Sequence, residues 1–224
     1  METMHSFINE INGVLWSYIL VYLLFCIGIF FTLRTGFLQF RGLKRACMVT
    51  FAKAGPGEIT SFQAFATGLA SRVGTGNIAG VATAISVGGP GAVFWMWVTA
   101  LLGMSSAFIE ATLAQIFKVR NEDGTFRGGP AYYIQQGLGS RIWGTIFALS
   151  LLLAFGLVFN AVQSNSISDA LYNGFGLDRT ISGILVVLAS GAVIFGGARR
   201  IGRVAEILVP VMAALYLLVA LYAI

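Results

Sequence analysis

Cysteine and histidine are nearly absent: Cys26, Cys47 and His5 are all that 224 residues contain. Two separated thiols and one imidazole cannot compose a disulfide framework or a zinc site, so redox and zinc chemistry are excluded. Charge is equally sparse. Asp, Glu, Lys and Arg make up 10% of the chain, against about 25% in an ordinary soluble domain, and no Asp or Glu stands between Glu58 and Glu110. Before Val14 there are Glu2 and Glu10 but no Lys or Arg. The basic start of a signal peptide is therefore missing, and the first apolar helix is expected to stay in the mature protein.

What is present is apolar: 57% of the residues are hydrophobic and the mean hydropathy is +0.84. A soluble core of this length would leave much of that surface in water, so membrane lipid is the expected surrounding. The net charge of +5 could point to nucleic acid. The basic residues, however, form short clusters between apolar runs rather than one face, so no nucleic-acid partner is expected.

Runs of about 20 apolar residues place membrane helices at roughly 14–33, 59–87, 91–117, 143–173, 180–198 and 204–224. Between the first and second lie Arg34, Arg41, Lys44, Arg45 and Lys53; between the third and fourth, Lys118, Arg120, Arg127 and Arg141; between the fifth and sixth, Arg199, Arg200 and Arg203. These clusters fall in alternate loops, leaving Arg72 inside the membrane and Arg179 on the other side. By the positive-inside rule, an N-terminus outside is expected for a multi-pass protein of the cell (inner) membrane. Two segments are expected: 1–58, one helix with a basic loop, and 59–224, five further helices. GGPG at 88–91 and RGGP at 127–130 mark turns. Tyr132, Tyr133 and Trp143 are expected as anchors at the headgroup level.

The second helix is interrupted. LASRVGTGNIAG at 69–80 puts Ser71, Arg72, Gly74, Thr75, Gly76 and Asn77 in the middle of an apolar run. Unwound backbone in a bilayer is tolerated only where it lines an enclosed cavity. Secondary transporters use such broken helices to present carbonyls to a cation and amides to an anion. Carbonyls near Ala70 and Val73 would serve a cation, amides at Thr75 to Asn77 a carboxylate, and the Asn77 side-chain oxygen a hard cation such as sodium. A glycine hinge or close helix packing is the structural alternative. The same residues fit G-x-G-x-x-G/A, but a dinucleotide site needs a preceding strand and an acidic residue about 20 positions on. Neither is present.

Two further groups stand out. Arg72 and Glu110 are charges inside membrane segments, where ionisable groups face a partner or a cavity. Glu110 lies about 12 Å inward of Lys118 by helical rise. It either supports the broken helix, accepting from freed amides and pairing with Arg72, or carries a coupling proton. Asn160, Gln163 and Ser164 share a helical face. They line a pathway, or mark the solvated outer end of a helix that continues to Asp169 and Asn173.

FATGLASRVGTGNIAGVA at 65–82 and GGPGAVFWMWVTALLG at 88–103 resemble the alanine or glycine:cation symporters, also called sodium:alanine symporters. The resemblance continues through FIEATLAQ at 108–115, RGGPAYY at 127–133 and VFNAVQSN at 158–165. It implies an all-α membrane protein with a leucine-transporter-like fold, one extra helix preceding the first inverted repeat. It implies sodium-coupled uptake of a small neutral amino acid, alanine or glycine, with sodium as coupling ion, no organic cofactor and no enzymatic reaction. Thr75, Gly76 and Asn77 would then hold the substrate carboxylate and sodium, Ala70 and Val73 would contribute to a second sodium position, and Gln163 would close the pocket. Family members are about twice as long, and no second broken helix occurs here. The chain is thus expected to be the first half of a transporter whose C-terminal half is missing. The rival from another class is an ion channel subunit or a non-transporting membrane scaffold.

Overall fold

A computed structural model describes residues 2–52, 59–122 and 124–223. Lys53, Glu58 and the expected segment boundary at 58 lie outside the described residues. The chain order is α1 (Glu2–Val14), a π-helical stretch (Leu15–Leu20), α2 (Val21–Arg34), α3 (Leu38–Arg41), α4 (Leu43–Thr50) and α5 (Ser61–Ala70). A π-helical turn (Gly76–Gly80) then leads into α6 (Val81–Gly88), α7 (Gly91–Ile116), the strands β1 (Val119–Arg120) and β2 (Phe126–Arg127), and α8 (Pro130–Gly137). α9 (Arg141–Leu153) passes through a π-helical turn (Ala154–Val158) into α10 (Phe159–Phe175), followed by α11 (Arg179–Ile194) and α12 (Gly197–Ala223).

The stretches Met4–Arg34, Gly91–Ile116, Arg141–Phe175 and Gly197–Tyr222 are long and apolar enough to cross a membrane. They are the first, third, fourth and sixth helices expected from sequence. The other two are shorter. The second is divided at its polar centre, and α11 has 16 residues, about 24 Å of rise against about 30 Å of hydrocarbon. The last helix begins at Gly197 rather than near 204, because Arg199, Arg200 and Arg203 are good helix formers. The turn before it needs only the left-handed Gly197, at φ +72°. Large apolar side chains such as Val87, Phe175 and Phe195 stand exposed, as suits a surface that faces lipid.

The chain divides into two units, 1–43 with 88–151 and 44–87 with 152–224. In the first, α2 packs on α7. Gly28 permits the approach: a Cβ there would stand 2.8 Å from the Cβ of Leu102. The Ser105 hydroxyl, 1% exposed, makes short contacts with the carbonyls of Leu102 at 2.8 Å and Gly28 at 3.1 Å. Thr32 Oγ1 donates to Ser105 Oγ at 3.1 Å and accepts from Gln39 Nε2 at 3.1 Å. Small residues and inter-helix hydroxyl bonds are how apolar helices associate in lipid. RGGP at 127–130 is explained here too: Gly129 takes φ +107° and Pro130 opens α8, which packs on α7. Tyr132 and Tyr133, expected as anchors at the headgroup level, are half-buried.

In the second unit, α5 packs on α12 and α10 on α11. Gly202, Ala205, Glu206 and Val209 fall on one face of α12, at helical spacing. Ala66 is buried against Ala205 and Val209, with Leu69 beside them.

Candidate functional site

The broken helix starts as a regular one. Thr60 Oγ1 accepts from the Gln63 N–H at 3.1 Å, and Gln63 Oε1 accepts from the Thr60 N–H at 3.2 Å, a reciprocal cap that holds the first turn of α5. The helix ends at Ala70. The N–H groups of Arg72 and Val73 both turn to the Leu69 carbonyl at 3.0 Å. Among the described residues, no backbone N–H donates to the carbonyls of Ala70, Ser71, Arg72 or Val73. The Ser71 hydroxyl donates to the Gly68 carbonyl at 2.9 Å, offering the backbone a local alternative to the helix. Arg72 Nη1 donates to the same carbonyl at 2.9 Å, a cation at the negative end of a half-helix.

Helix resumes at Thr75. The Gly74 N–H donates to Asn77 Oδ1 at 3.2 Å and the Asn77 N–H donates to the Gly74 carbonyl at 3.0 Å. Asn77 therefore fixes the turn with its side chain, and its own amide is engaged. The N–H groups of Thr75 and Gly76 have no backbone partner among the described residues. They open the 76–88 helical segment, whose N-terminal end carries partial positive charge. A Cβ on Gly76 would meet nothing within 4 Å, so the backbone there is approachable. Asn77 Oδ1 keeps a second lone pair for a cation.

Gln163 of α10 reaches this turn. A Cβ on Gly74 would stand 3.4 Å from its Nε2 and 3.6 Å from its Oε1. The polar stripe of α10 thus divides. Gln163 meets the break, whereas Asn160 Nδ2 turns back to the Gly156 carbonyl of its own helix at 3.2 Å, and Ser164 is half-buried. Farther along, Asn165 Nδ2 donates to Asp169 Oδ2 at 3.2 Å, and Asp169 pairs with Arg179 at 3.0 Å. Asp178 caps α11 by accepting from the N–H groups of Thr180 at 2.8 Å and Ile181 at 3.4 Å. Those amide bonds hold its carboxyl below the ordinary range.

Glu110 belongs to the first unit, on α7, and Arg72 to the second. The Glu110 carboxylate is exposed. Burial pushes the Tyr133 phenol of α8 up, and the negative charge of Glu110 adds to that. Among the described residues no group of three or more His, Cys, Asp or Glu is placed to hold a metal. A cation at the break would be held by neutral oxygens.

One contact escaped the sequence reading. Gln63 Nε2 donates to Glu206 Oε2 of α12 at 2.8 Å. The signal was available, since Glu206 is the one acidic residue between 204 and 224. Its partner was not legible, because Gln63 stands 143 positions away and nothing within the expected helix 204–224 names it.

The chain is similar to known proteins over its whole length. The sodium:alanine symporter family matches residues 1–224. A probable sodium/glutamine symporter, GlnT, of Bacillus subtilis is 47% identical over 226 residues, covering 100% of this chain and 47% of that protein. The amino-acid carrier protein AlsT of the same organism is 49% identical over 219 residues, covering 97% of this chain and 47% of its own. The sodium/alanine symporter AgcS of Methanococcus maripaludis is 43% identical over 225 residues, 96% of this chain and 49% of that one. The chain spans about half the length of the curated relatives it matches. A match over the whole chain, on an all-helical membrane protein with a broken helix, decides its family: it belongs to the sodium:alanine symporters, secondary transporters rather than enzymes.

Proposed function

We propose sodium-coupled symport of a small neutral amino acid, alanine or glycine, by alternating access, as the activity of the full-length transporter to which this sequence contributes. The observation that carries the reading is the break itself. Carbonyls without backbone donors at Ala70 and Val73 lie on one side, and N–H groups without backbone partners at Thr75 and Gly76 on the other, four residues around Gly74. A half-helix C-terminus attracts a cation and a half-helix N-terminus an anion, so one short segment suits both ends of a sodium–carboxylate pair. Asn77 Oδ1 would join the sodium, and Gln163 would close the pocket over the substrate.

The wider architecture belongs to the same proposal. It is a leucine-transporter-like fold of six spans with an outside N-terminus, in which 59–224 forms the first inverted repeat. A second repeat would supply the other broken helix and the remaining ligands. Glu110, paired with Arg72, would serve as structural support for the break. The relatives' names include both glutamine and alanine, so substrate size is the property to measure first.

The test is uptake of labelled alanine, glycine and glutamine into proteoliposomes holding a full-length symporter with this sequence as its first half. Saturable uptake that requires a sodium gradient supports symport. Uptake that follows a proton gradient without sodium moves Glu110 into a proton-coupling role, and non-saturable ion flux identifies a channel.

A further inference from the structure

Glu206 is an ionisable residue inside the apolar span Gly197–Tyr222, where a carboxylate is costly unless it has a partner and a task. It is half-buried, on the face of α12 that carries Gly202, Ala205 and Val209 against α5. The two helices lie side by side at Gly202, where a Cβ would make ordinary contact with Thr67 Oγ1 at 3.7 Å and the Cβ of Gln63 at 3.8 Å. The polar partner of Glu206 is the amide of Gln63, at 2.8 Å. That amide is doubly committed: its Oε1 accepts from the Thr60 N–H at 3.2 Å, closing the cap of α5. A chain of hydrogen bonds therefore runs from Glu206 through Gln63 to the backbone that starts the half-helix. Pro210 stands one turn beyond Glu206 inside α12. It has no N–H for the Glu206 carbonyl, so α12 is locally weakened where it holds α5.

We propose that Glu206 is a positioning residue for the cation site, fixing through Gln63 the rotation and depth of α5, the half-helix whose end presents the carbonyls of Ala70 and Val73. The inference rests on the reading that those carbonyls serve a coupling cation. Glu206 acts as a hydrogen-bond acceptor, so an acceptor of the same shape replaces it. The acceptor and donor can also trade places across the contact.

The experiment uses four variants of a full-length symporter carrying this sequence: Glu206→Ala, Glu206→Gln, Gln63→Glu and the double variant Q63E/E206Q. Two readouts are taken: sodium dependence of alanine KM and kcat, and amide hydrogen exchange across 61–70. Glu206→Ala leaves the Gln63 amide without its acceptor, and Gln63→Glu sets two carboxylates against each other. Both should raise KM about tenfold at limiting sodium with kcat little changed, and both should speed exchange in the first turn of α5. Glu206→Gln should stay within about threefold of the parent, and the double variant should recover most of what Gln63→Glu loses. Impairment by Glu206→Gln equal to that by Glu206→Ala, or a double variant no better than Gln63→Glu, overturns the proposal. If the parent shows no sodium-dependent alanine uptake, the functional reading fails. The exchange rates then still decide whether Glu206 holds α5.

Discussion

Gln163 lies against Gly74: the side-chain amide of one helix stands 3.4 Å from where the other residue would carry a Cβ. The contact joins α10 to the unwound turn and leaves ordinary van der Waals room for one methyl group. Gly74→Ala should therefore fold and keep alanine KM within about threefold. Gly74→Leu must displace Gln163 and should raise KM at least about tenfold, as measured in proteoliposomes at saturating sodium. A Gly74→Leu variant with parental KM would show that Gln163 does not touch the substrate.

Asn77 separates the roles of turn and ligand. Its Oδ1 holds the Gly74 N–H at 3.2 Å, so Asn77→Ala loses both that bond and the proposed sodium contact. Because ion and substrate binding are linked, alanine affinity should fall mainly through sodium, with half-saturation for sodium rising about tenfold and high sodium restoring part of it. Asn77→Asp keeps the acceptor and should bind sodium at least as well as the parent. Normal alanine binding by Asn77→Ala at low sodium would leave Asn77 as a helix-break residue alone.

Gly28 tests packing rather than binding. A Cβ there comes within 2.8 Å of the Leu102 Cβ and 3.3 Å of its carbonyl oxygen, both on α7, so Gly28→Ala must push α2 and α7 apart. The expected cost is about 1–3 kcal/mol, read as a lowered melting temperature in detergent. Gly13→Ala, with nothing within 4 Å, is the control and should not melt lower.

Asp178 gives a prediction with a sign. Its carboxyl is lowered by the N–H groups of Thr180 and Ile181, so the charged form is favoured in the folded chain. The cap is complete above the ordinary carboxylate pKa of about 3.9 and is lost as pH falls through the lower folded value. Amide exchange at Thr180 and Ile181 should rise in acid relative to the mid-helix of α11, and Asp178→Ala should produce the same rise at neutral pH. Equal exchange in parent and variant would remove Asp178 as a cap.

The long apolar helices were legible because composition alone decides whether a segment suits a bilayer. The broken helix was legible because Gly74-Thr75-Gly76-Asn77 is a polar interruption that lipid does not tolerate in unsupported form. The packing of the two tyrosines after Pro130 was not legible. Tyr132 and Tyr133 look like interface anchors by type, and it is α8, folded back on α7, that half-buries them. Nothing local to 130–137 encodes that partner.

By itself the sequence determined the membrane class, the long helices and the place where one of them unwinds, since each follows from apolar length or from backbone chemistry within a few residues. Tertiary structure alone decided that Gln163, and not its neighbour Asn160 on the same stripe, meets the unwound turn. It also decided that Glu206 of α12 takes Gln63 of α5 as its partner, across 143 positions of chain. The physical reason is the same in both cases. A helix face offers several equivalent polar groups, and only the packing of one helix against another selects which of them finds a partner.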